Sequence, residues 1–168
     1  MNLKEQLLVE MSRRNTDFIA HSIRNDPDSF KDLMELVFHG AEPLPSRASW
    51  VVTAVTEKYP ELLRPYLKKI IAHMDKFEHP GTRRNLLRYL ASIDLPLSLQ
   101  GKLFDMCSGF ILSRTESIAV KAHSMQIMFN IAQKEPDLKN EVRLILEELE
   151  RHESAGIKSR SAKLLRNL

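Results

Sequence analysis

Four basic residues, Arg47, Arg83, Lys121 and Lys158, recur at intervals of 36, 38 and 37 residues. Each opens a stretch with the same apolar rhythm. Three positions on stand Trp50, Leu86, Ser124 and Ser161, and one further stand Val51, Leu87, Met125 and Ala162. Three beyond those come Ala54, Leu90, Met128 and Leu165. A self-similar period of about 20–50 residues is the mark of a solenoid, whose units bury their apolar faces only against their neighbours. This constrains the fold more tightly than any local propensity.

Proline punctuates the pattern. Asp26-Pro27, Tyr59-Pro60, Asp94-Leu95-Pro96 and Glu135-Pro136 each precede an amphipathic segment. Proline suits the first position of a helix, where its missing N–H would have no partner, and it turns the residue before it away from helical geometry. The expected outer helices therefore cover 28–40, 61–76, 97–113 and 137–152, and the inner ones 46–58, 82–93, 116–134 and 155–167. Apolar residues such as Leu63, Leu67, Ile70, Ile71 and Met74 fall at the 3.6-residue period. Ser46, Thr82, Thr115 and Ser154 are the expected N-caps of the inner helices. Residues 3–12 and 14–25 form a shorter pair that caps the N-terminus.

Charge is unevenly spread. The inner stretches hold 11 basic residues against Glu57 and Glu116, or +9, while the whole chain has 25 basic and 22 acidic residues, leaving −6 elsewhere. If the inner helices share a wall, that wall attracts acidic partners. Lys58 and Lys134 lie in last turns, where a cation complements the helix dipole. Arg84, Arg88, Arg160, Lys163 and Arg166 have no such local reason, although a terminal repeat also needs a polar outer face, which would account for the last three. Trp50, the lone tryptophan, is either packed between repeats or an aromatic anchor for a partner, and Tyr89 beside Arg88 poses the same choice.

Chemistry is sparse. The six histidines, His21, His39, His73, His79, His123 and His152, form no i, i+4 pair, and no HExxH or phosphate-cradling glycine motif accompanies them. His123, near Lys121, has no nucleophile or acid assigned to it. The single Cys107 sits in an apolar run and reads as an inert buried thiol. No catalytic residue, metal or cofactor is expected. A charged start and no apolar run of about 18 residues lead to the expectation of a cytoplasmic protein with no membrane contact.

The fragments Ser46-Arg47-Ala48-Ser49-Trp50-Val51, Thr82-Arg83-Arg84-Asn85-Leu86-Leu87, Val120-Lys121-Ala122-His123-Ser124-Met125 and Ile157-Lys158-Ser159-Arg160-Ser161-Ala162 resemble the HEAT repeat family of the armadillo type. The resemblance covers about residues 27–168. It implies an all-α, right-handed solenoid of four to five helix pairs in one domain over 1–168, with residues 1–26 as the N-terminal cap. It also implies that second helices line the concave side, and that Arg47, Arg83, Lys121 and Lys158 bond carbonyls or carboxylates of neighbouring repeats. The implied function is a non-enzymatic scaffold or adaptor for a protein or peptide, with Arg84, Arg88, Lys121, His123, Arg160, Lys163 and Trp50 as candidate contacts. A second reading is nucleic-acid binding. A family of alkylation-repair DNA glycosylases is similar in having HEAT-like helices around a basic groove, but it needs an inner acid with aromatic companions. Only Glu57 and Glu116 are on offer. A homo-oligomer packed end to end through Leu164, Leu165 and Leu168 is a third.

Overall fold

A computed structural model describes residues 2–168, with the side chain of His152 outside the described set. Among the described residues the chain is helical throughout and has no strand: α1 Leu3–Val9, α2 Arg13–Ile23, α3 Pro27–His39, α4 Leu44–Thr56, α5 Leu67–His73, α6 Pro80–Leu90, α7 Leu97–Leu112, α8 Ile118–Lys134, α9 Lys139–His152 and α10 Ala155–Leu165. Short 3-10 turns span Pro60–Tyr66, Met74–Lys76 and Pro136–Leu138. The chain divides into two compact units, Met1–Leu86 and Leu87–Leu168.

In the first unit α3 buries Phe30, Leu33, Met34 and Val37, the i, i+3, i+4, i+7 face of one helix. Pro27 sits in its first turn, and the Asp26 carboxylate accepts from the backbone N–H groups of Asp28 and Ser29 at 3.4 and 3.2 Å. That satisfies two donors a helix start leaves open. Helices α1, α2 and α3 all pack on α4, which is why α4 is buried nearly all round, from Leu44 through Val51, Val52 and Val55 to Thr56. In the second unit α7 packs on α8 and α9 on α10, while α8 also touches both α9 and α10. Its core holds Leu103, Phe104, Ile111, Val120, Met125, Met128, Val142, Leu146, Ile157 and Leu164.

Several expected boundaries move, each for a local reason. The helix expected over 61–76 is instead a 3-10 turn, then α5, then a second 3-10 turn. Pro65 lies inside the first turn; it lacks an N–H and crowds the carbonyl four residues back, so an α-helix forms only beyond it. Ser46 and Thr82 do not cap. Pro45 and Pro80 start α4 and α6 earlier, so Ser46 Oγ donates to the Pro43 carbonyl at 3.0 Å and Thr82 is buried inside α6. Ser117 rather than Thr115 caps α8, accepting from the Val120 N–H at 3.4 Å. Ser154 takes the N-cap place of α10, but its side chain makes no capping bond.

Candidate partner-binding surface

The four register cations lead four different lives. Arg47 Nη1 donates to the Leu7 carbonyl at 2.8 Å and so ties α4 to α1. Arg83 Nη1 donates to the Phe77 carbonyl at 2.6 Å, fixing the approach to α6. Lys121 is 5% exposed, and its ammonium donates to Glu153 Oε1 at 2.7 Å, joining α8 to the turn between α9 and α10. Lys158 is exposed on α10. That hydrogen bond holds the Glu153 carboxyl below its ordinary range, against an opposing contribution from partial burial. Arg47 and Lys121 are thus layer-to-layer ties and Arg83 is a local one, since a buried main-chain carbonyl or a desolvated ammonium demands a partner.

Placed in the structure, the other candidate contacts separate. Arg84 and Arg88 are exposed on α6, and Arg84 Nε donates to Asn85 Oδ1 at 3.4 Å. Lys163 is exposed on α10. Arg160 and His123 are half-buried, and Arg160 Nη2 donates to Gln126 Oε1 at 2.6 Å. Trp50 is half-buried in α4, while Tyr89 is buried. Lys121 turns inward to Glu153 instead of joining the exposed group. Leu164 is buried in the second unit. The bounds of the second helices sharpen the charge asymmetry. Glu57 and Glu116 both fall outside them, and α4, α6, α8 and α10 carry arginines and lysines with no carboxylate at all.

Sequence reasoning missed the amides. Asn85 is buried and donates from Nδ2 to Ser49 Oγ at 3.0 Å, tying α6 to α4 inside the first unit. Gln126, Asn130 and Gln133 follow an i, i+4, i+7 spacing that places them on one face of α8. That spacing was the available signal.

A cleft of about 560 Å³ in the first unit is lined by residues including Leu8, Glu35, His39 and Leu44. His39 lies 3.6 Å from Glu35, but no serine, threonine or cysteine among the described residues lines the cleft. No three His, Cys, Asp or Glu among the described residues gather to hold a metal ion. No helix among them is long and apolar enough to cross a membrane. Burial pushes the Cys107 thiol up to about 12. At pH 8 essentially no thiolate forms, and the thiolate is the nucleophile. Native protein is therefore expected to leave Ellman's reagent unchanged over minutes and to react fully with one equivalent in urea. Rapid reaction of the folded protein would contradict this burial.

Helices paired in sequence order, with basic residues recurring every 36 to 38 positions, define an α-helical repeat protein. A family model for the HEAT repeat domain matches residues 3–168, and the chain belongs to the HEAT repeat family. No curated protein and no solved structure matches it.

Proposed function

We propose that this protein is a non-enzymatic interaction scaffold that receives an acidic protein or peptide on the exposed cations of its last second helix, α10. The observation that carries the reading is the complete lack of carboxylates on α10, beside its exposed Lys158 and Lys163. Membership of a family of macromolecular scaffolds supports it. Exposed cations on a helix that carries no carboxylate attract an acidic partner and speed encounter. Nucleic acid is the competing occupant. Against it, Arg47, Arg83 and Lys121 are engaged internally and Lys134 pairs with Asp94, which leaves few cations for phosphates.

The test is fluorescence anisotropy with a labelled octaglutamate peptide at low and at physiological salt. Wild-type protein binds, and the binding weakens as salt rises. Lys158→Glu with Lys163→Glu, both exposed on α10, weakens it by about tenfold or more, since like charges now meet. Absence of binding even at about 20 mM salt, where surface charges are least screened, overturns the reading. Tighter binding of a labelled oligothymidylate would give the surface to nucleic acid.

A further inference from the structure

The cleft in the first unit is walled by α1, by the end of α3 and by the turn over 40–43 that leads into α4. Leu8, Leu36, Pro43 and Leu44 give it an apolar lining, and Leu8 is 45% exposed there while its neighbour Leu7 is buried in the core. A Cβ at Gly40 would stand 2.5 Å from the Leu36 carbonyl oxygen and 3.1 Å from Leu44 Cβ. Glycine is what lets α3 close on the start of α4 at this edge. The cleft's volume of about 560 Å³ and its apolar lining with few polar groups suit a small ligand.

Its charged groups fall into two sets. Glu35 and His39 are occupied with each other and with Lys69. Glu35 Oε2 lies 3.6 Å from His39 Nε2, Glu35 Oε1 lies 3.9 Å from Lys69 Nζ, and Lys69 Nζ lies 3.4 Å from His39 Nε2. Lys4 on α1 and Glu42 in the turn are both exposed, and neither side chain has an ion-pair or hydrogen-bond partner among the described residues. They do not pair with each other either. The cleft thus presents one open cation and one open carboxylate on different walls of an apolar lining.

That pattern selects by elimination. A fatty acid would match Lys4 and lay its chain beside an unmatched Glu42, and an alkylamine would do the reverse. A quaternary ammonium is received on aromatic faces, and no Phe, Tyr or Trp among the described residues lines the cleft. A primary ammonium donates hydrogen bonds directly to a carboxylate. We propose that this cleft binds a small apolar zwitterion with a primary ammonium and a carboxylate, the chemistry shared by a free apolar amino acid and an apolar dipeptide. The ligand's carboxylate pairs with Lys4, its ammonium pairs with Glu42, and its side chain lies on Leu8, Leu36 and Leu44. This goes beyond the scaffold reading and does not depend on it, since the cleft belongs to the first unit and α10 to the second.

The test is titration of isotope-labelled protein with leucine and, separately, with leucyl-leucine, followed by amide chemical shifts. Saturable shifts are expected at Leu8, Gly40 and Leu44, and the tighter ligand identifies the source. Lys4→Gln is expected to weaken leucine about threefold, the loss of one exposed ion pair, and to leave leucinamide, which has no carboxylate, unchanged. Glu42→Gln is expected to weaken leucine similarly and to leave N-acetyl-leucine, which has no ammonium, unchanged. Both substitutions fall on exposed side chains. If N-acetyl-leucinamide, the same body without either charge, binds as tightly as leucine, the zwitterion assignment is wrong. Tighter binding of dodecylphosphocholine would overturn it in favour of a lipid headgroup. No saturable shift with either ligand at about 20 mM, well above a millimolar dissociation constant, would sink the proposal, while octaglutamate binding at α10 would stand or fall separately.

Discussion

Glu153→Ala is expected to destabilise the protein by about 3 kcal/mol, while Lys121→Met changes stability by no more than about 1 kcal/mol. The asymmetry follows from burial. Lys121's side chain is 7% exposed and Glu153's is 31% exposed. Removing the carboxylate leaves an ammonium desolvated and unpaired, whereas removing the ammonium leaves a carboxylate that water reaches. Methionine also fills the lysine's stem with carbon of similar volume. The effect depends on pH. The Glu153 carboxyl titrates below its ordinary value of 4.5 in the folded protein, chiefly through its bond from Lys121. Its contribution is therefore complete above that ordinary value and is lost as pH falls through the lower folded one. Urea unfolding of wild type and Glu153→Gln should differ at pH 7 and converge in acid. A difference that stays constant down to pH 3 would show that the pair does not act through charge.

Phe30→Ala is expected to cost about 4 kcal/mol. The ring is 1% exposed on α3, among Leu33, Met34 and Val37, and meets Tyr66 edge-on at 6.0 Å between centroids. Truncation forfeits the transfer of an aromatic side chain and opens a cavity that helices already fixed by their neighbours cannot close. Phe18→Ala is the control. That ring is 55% exposed, and its loss should move the urea midpoint little. Equal effects of the two would contradict the packing described for the first unit.

Much of this fold can be read from the chain because solenoid layers repeat their chemistry. The 36-to-38-residue spacing of the register cations and the Asp26-Pro27 start of α3 are local signals, and local signals are what a sequence displays. Boundaries fail where two local signals compete. Ser46 looks like a cap until Pro45 is weighed, and 61–76 looks like one helix until Pro65 is. The surface is less open to reading, because a side chain's partner is a tertiary fact. Lys121 looks like any inner cation, yet Glu153, 32 positions on, takes it out of solvent. Gln126 and Asn130 carry no charge and match no motif. They matter only because α10 brings Arg160 against them.

Hydrogen–deuterium exchange of the protein saturated with octaglutamate tests the central claim most directly. The account predicts slowed exchange in α10, and none in α3, α7 or α9. Protection confined to those first helices of the pairs, or no protection at saturation, would contradict it.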